Sequence, residues 1–238
     1  MIPLKDYPGD RRLFPWVMLT LVVLNVLVFL YEITIQAAGD DALDTLFTAA
    51  AVVPVEFTRG VNVGAPPPLG MTWTTLITSM FLHGGVLHIG SNMLYLFVFG
   101  DNVEDRLGHL RFLIFYFACG IIAGFTHIFF NASSPIPSVG ASGAIAGVLA
   151  AYLRLFPHAE VRTLLFIGPF IAVPRIQAAF LILFWFGTQF LSGVLSLGAT
   201  SEQTEGVAVW AHIGGFVAGF ILVQFFAQSR RTVQRPSF

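Results

Sequence analysis

Ser142 stands where a proline-bearing loop passes into a small-residue helix pattern, Pro135-Ile136-Pro137-Ser138-Val139-Gly140-Ala141-Ser142-Gly143-Ala144-Ile145-Ala146-Gly147. Pro and Gly keep the backbone before it out of regular helix, whereas Ser142 to Phe156 contains no proline. The serine is therefore at or near a helix N-terminus. Two roles fit that place. The hydroxyl caps the helix, or it is a nucleophile whose oxyanion would lie beside unpaired N–H groups and the positive end of the helix dipole. The choice turns on whether other segments bring a base and oxyanion donors to the same point.

Three polar residues qualify. His212 lies in Trp210-Ala211-His212-Ile213-Gly214-Gly215-Phe216, and Ser142 with His212 would be nucleophile and general base, the minimum set for acyl transfer. His88 and Asn92 are four residues apart and share one helix face, whereas His83, five before His88, does not share it. Both can donate to an oxyanion alongside the Ser142 N–H. Asp101, Glu104 and Asp105 fall at the far end of the same helix, so no acid completes a triad and a dyad remains. Gly140-Ala141-Ser142-Gly143-Ala144 is not the G-x-S-x-G elbow of soluble hydrolases, and no strand pattern precedes it.

These residues must be carried by membrane helices. The 238 residues are 56% hydrophobic and 11% charged, with mean hydropathy +0.79, far from a soluble domain. About 20 apolar residues are needed per span. Six spans are expected in a single integral-membrane domain, near 14–35, 83–103, 110–130, 142–156, 176–197 and 207–226, with an outer loop at 36–71. In that loop Leu46 to Val55 reads as a short surface helix. The stretch 142–156 reaches only about 22 Å, too short to cross alone. The apolar segment Phe166 to Pro174, broken by Gly168-Pro169, reads as interfacial. The first run lacks an A-x-A cleavage site and reads as a retained helix. The fold class expected is an all-α polytopic membrane protein, a six-helix bundle with a short fourth helix carrying the serine.

With six spans, eleven of the twelve Lys and Arg fall on one side and only Arg59 on the other. The positive-inside rule then puts both termini in the cytoplasm. Asp40, Asp41, Asp44, Glu56, Glu202 and Glu205 lie outside. Spans two, four and six run from outside to inside, and His88, Asn92, Ser142 and His212 all sit near their outer ends. His212 is roughly 8 Å deep at 1.5 Å per residue. Polar groups at membrane depth are costly and so mark function, though each can instead bond a neighbouring helix. Gly143 with Gly147 and Gly215 with Gly219 are four-residue pairs that let two helix backbones approach and bring the serine to the histidine.

Taken in order, His88-x-x-x-Asn92 after Phe81-Leu82-His83, Glu104-Asp105-Arg106-Leu107-Gly108, Gly140-Ala141-Ser142-Gly143 and Ala211-His212-x-x-Gly215 resemble the rhomboid family of intramembrane serine proteases. The resemblance covers residues from about 72 to 220. It implies that Ser142 is the nucleophile, that His212 is its base, and that His88, Asn92 and Gly140 stabilise the oxyanion. It further implies hydrolysis of peptide bonds in or near transmembrane segments of single-span proteins, in a plasma-membrane enzyme that needs no metal or cofactor. Many members carry a Trp-Arg pair in the first outer loop; here Trp73 is followed by Thr74.

Other classes compete with this expectation. A transporter or channel would line a pathway through both faces, yet inner-end polar residues are sparse outside the Glu/Arg turn. A helix-binding protein without catalysis would typically lack the Ser or the His. A metalloprotease using His83, His88 and His212 lacks an H-E-x-x-H motif. The single Cys119 supports neither a disulfide framework nor a thiolate metal site. No Lys/Arg stripe with interleaved aromatics points to nucleic acid.

Overall fold

The computed structural model describes residues 1–9, 12–196 and 208–227. Arg11, Leu197, Glu202, Glu205, Val207, Arg230, Arg231 and Arg235 lie outside them. The described chain is mostly helical. It runs from strand β1 (Ile2–Tyr7) into α1 (Trp16–Gln36), α2 (Asp40–Ala50) and α3 (Pro54–Arg59), then α4 (Thr75–Thr78), α5 (Val86–Leu107) and α6 (His109–Phe130). There follow α7 (Ser142–Leu155), strands β2 (Glu160–Ile167), β3 (Phe170–Ala172) and β4 (Arg175–Gln177), α8 (Ala178–Ser196) and α9 (Val209–Phe226).

Length and composition make α1, α6, α8 and α9 candidate membrane spans, and a fifth arises if Thr72–Phe81 and α5 form one span bent by 83°. The bend falls at Gly84-Gly85, where Gly85 takes φ +154°, a conformation that glycine enters without a Cβ clash. Large apolar side chains such as Leu87, Leu110 and Phe129 face outward on these helices, as lipid-facing residues do.

α7 is different. Every residue from Gly143 to Tyr152 is buried, because α5, α6 and α9 pack around it. Its small side chains allow this: the position of a Cβ on Gly215 is taken by the Gly143 carbonyl, and that of a Cβ on Gly219 by the Gly147 backbone. The two glycine pairs read from the sequence therefore meet each other, and α7 and α9 touch backbone to backbone.

An all-helical reading misses a small sheet. β2 is its centre, pairing antiparallel with β1, β3 and β4. The segment alternates, with Val161 and Thr163 buried and Arg162 exposed, the period of a half-buried strand. Its apolar continuation, Leu164 to Ile167, turns at Gly168 (φ +59°) into β3, so Phe166 to Pro174 is largely hairpin. The outer-loop reading also changes in detail, since 36–71 holds the two helices α2 and α3.

At the end of the bundle opposite Ser142, carboxylates hold the chain together. Glu104, fully buried, accepts from the N–H groups of Val17 and Met18 at 3.0 and 2.7 Å and from His109 Nδ1 at 2.5 Å. It thereby satisfies the otherwise unpaired first turn of α1, at the favourable end of that helix dipole. Asp105 accepts from the Arg12 and Leu13 N–H groups. Asp6 of β1 accepts from Asn102 Nδ2 of α5 at 2.8 Å and from the Tyr152 hydroxyl of α7 at 2.7 Å, fastening the sheet to the bundle.

Candidate active site

The N-terminal ends of α5, α7 and α9 converge on a cavity of about 170 Å³ lined by His88, Asn92, Tyr95, Ser142, Trp185 and His212 among others. Ser142 is the first residue inside α7. Ala141 occupies the cap position, and no side-chain cap bond forms there. The serine hydroxyl instead lies 2.7 Å from His212 Nε2. The capping role is thus not the one it plays, and the N–H groups of the first turn, from Ser142 to Ala144, point away from any helical acceptor.

The second imidazole nitrogen of His212 meets Gln189 Oε1 of α8 at 2.7 Å. Gln189 is absent from the sequence reading, although an amide inside an apolar span is itself the signal that singled out the other polar residues. His212 is 9% exposed and lines the cavity.

His88 and Asn92 line the same cavity. The Gly84 N–H donates to His88 Nδ1 at 3.3 Å, which puts the ring proton on Nε2. That nitrogen faces Gly140: a Cβ there would stand 2.7 Å from His88 Nε2 and 3.6 Å from Ser142 Oγ. Asn92 Nδ2 is buried with no hydrogen-bond partner among the described residues. A buried donor left unmade costs about 1–3 kcal/mol. The amide belongs to a residue that lines the same cavity as Ser142 and His212.

Gly140 lies against His88 and Ser142. Its N–H donates to the Ser79 carbonyl at 2.8 Å and is not free for an oxyanion. What the glycine supplies is space and a φ of +125°, which bring the loop against the His88 ring. The same loop is pinned by a bridge between Val52 and Ser138, whose N–H groups each donate to the other's carbonyl. The segment between α2 and α3 thus braces the approach to Ser142. Trp73, without an arginine beside it, packs edge-on against Phe57.

His83 stands behind the site. Its ring lies 5.0 Å from that of His88, and its N–H donates to buried Glu32 of α1. Among the described residues no three His, Cys, Asp or Glu side chains are grouped to hold a metal ion.

A model of the rhomboid domain matches residues 70–229, the stretch that holds the bent helix pair, α7 and α9. The chain belongs to the rhomboid family. This makes it a multi-pass membrane protein, in keeping with its apolar helices. RHOMBOID-like protein 6, mitochondrial, of Arabidopsis thaliana is 27% identical over 237 residues, 92% of this chain and 71% of that protein. Rhomboid protease GluP of Bacillus subtilis (strain 168) is 44% identical over 81 residues, 34% of this chain and 15% of the relative. Putative rhomboid protease YdcA of the same organism is 40% identical over 84 residues, 34% of this chain and 40% of the relative. The rhomboid chain described here thus covers less than half the length of either bacterial relative.

Proposed function

We propose that this rhomboid is an intramembrane serine endopeptidase in which Ser142 and His212 form a catalytic dyad. The observation that carries the reading is the 2.7 Å contact between Ser142 Oγ and His212 Nε2 at the mouth of α7, facing an unpartnered Asn92 amide. His212 Nε2 takes the hydroxyl proton as Oγ attacks the scissile carbonyl carbon. The carbonyl oxygen becomes an oxyanion, and Asn92 Nδ2, His88 Nε2 and the Ser142 N–H donate to it. The imidazolium then protonates the leaving amine, the C–N bond breaks, and an acyl-enzyme remains. Water, deprotonated by His212, attacks this ester and returns Ser142.

The substrates we propose are transmembrane segments of single-span membrane proteins, cut near the outer face of the plasma membrane. In this arrangement all six helices α1, α5, α6, α7, α8 and α9 traverse one membrane domain, both termini are cytoplasmic, and neither metal nor cofactor takes part. A transporter reading is disfavoured by the opposite end, where Glu104 and Asp105 are engaged as caps of the chain entering α1.

The test is twofold. A fluorophosphonate should label Ser142 in wild-type protein and not in Ser142→Ala. Incubation with candidate single-span proteins should give a cut near a transmembrane helix end, mapped by mass spectrometry. Absence of both labelling and cleavage would return the protein to the transporter or catalytically silent classes.

A further inference from the structure

We propose that Gln189 is the positioning residue of the base: its side-chain carbonyl, 2.7 Å from His212 Nδ1, sets the tautomer and rotation in which Nε2 faces Ser142. The inference rests on the dyad reading for its kinetic consequence, but the hydrogen bond itself does not.

A neutral imidazole carries one N–H, and the nitrogen that carries it is decided by its partners. Gln189 Oε1 can only accept. The proton therefore sits on Nδ1, and the lone pair on Nε2 is left for the Ser142 hydroxyl. The opposite tautomer would aim an N–H at Oγ and leave no base. The Trp185 ring, 5.7 Å from that of His212, crowds a further side of the imidazole.

Comparison within α8 sets Gln189 apart. The helix has no charged residue, and its Thr188 and Ser196 hydroxyls donate to carbonyls of their own helix, Trp185 and Gly193. Gln189 instead reaches across to α9. An amide also suits the site better than a carboxylate, because an ionised acid on this apolar helix would bear a large desolvation cost. When Ser142 gives up its proton, the imidazolium Nδ1–H becomes a stronger donor and the bond to Gln189 strengthens with it. Gln189 acts through His212 and touches no reacting atom.

Two readouts on full-length protein in detergent test this. In the ¹⁵N spectrum of histidine-labelled protein, with His212 assigned by its loss in His212→Ala, the wild type should show the Nδ1–H tautomer. Gln189→Leu, similar in size but without an acceptor, should shift His212 toward the Nε2–H form. Fluorophosphonate labelling of Ser142 should slow about tenfold in Gln189→Leu, the worth of one hydrogen bond. An unchanged tautomer or an unchanged labelling rate in Gln189→Leu would overturn the proposal. A wild type that is never labelled, but whose His212 tautomer follows Gln189, would sink the protease reading and leave the positioning role standing.

Discussion

The two ends of the helix bundle treat polar groups in opposite ways. Opposite Ser142, the carboxylates of Glu104, Asp105 and Asp6 accept from named donors of another segment and tie α1, the sheet and α7 into place. Around Ser142, Asn92 Nδ2 and His83 Nε2 are buried without partners among the described residues, and His88 Nε2 faces Gly140 in the loop before the serine. A satisfied buried polar group holds structure together; an unsatisfied one lowers stability unless something else arrives to pair with it. Under the proposed dyad, the contrast separates a structural end from a chemical end.

Substitutions at the chemical end should be the most damaging to activity. Ser142→Ala and His212→Ala should each abolish proteolysis, and the double variant should be no worse than either, because residues acting as a unit are not additive. Additive losses in a cleavage assay would break the dyad. At the structural end the damage should appear in stability. Glu104→Ala strands the Val17 and Met18 N–H groups and should lower unfolding free energy on the order of 3 kcal/mol. Labelling of Ser142 per folded molecule should stay at the wild-type level, as read by fluorophosphonate on the thermally sorted fraction.

A smaller effect, of opposite sign, is expected at Asp6. Burial pushes this carboxyl from its ordinary 3.8 up to about 6; the hydrogen bond from Tyr152 pulls the other way, while Asp101 adds repulsion. The folded protein therefore binds more protons than the unfolded chain between those values, and stability falls as pH rises through that window. Asp6→Asn keeps an acceptor oxygen and removes the charge. It should be more stable than wild type above pH 6, on the order of 2 kcal/mol at pH 7.5, and indistinguishable from it near pH 4. Denaturation at the two pH values checks the sign.

Much of the chemical end was legible in the sequence because cost marks it. Ser142, His88, Asn92 and His212 are polar residues in apolar runs, and the paired glycines announce where two backbones touch. Gln189 carried the same signal but had no motif around it. Nothing in the sequence around Gly140 indicates that the Ser79 carbonyl takes its N–H, a contact that only the fold makes. The sheet was hidden for another reason. β2 pairs with β1, more than 150 residues earlier, so Tyr7 opposite Glu160 is a register that local periodicity does not contain. The role of 36–71 was equally non-local, resting on hydrogen bonds that join Val52, Val55 and Thr58 to Ser138, Ser134 and Ala132.

The measurement that bears most directly on the contrast is turnover and melting temperature of Asn92→Ala, determined on one preparation. Asn92 Nδ2 has no partner among the described residues, so its removal should leave the melting temperature close to wild type. Turnover should fall about a hundredfold or more, the usual cost of one oxyanion donor, while Ser142 still reacts with a fluorophosphonate. An Asn92→Ala protein that melts lower yet turns over at the wild-type rate would contradict the account and make the Ser142 end structural as well.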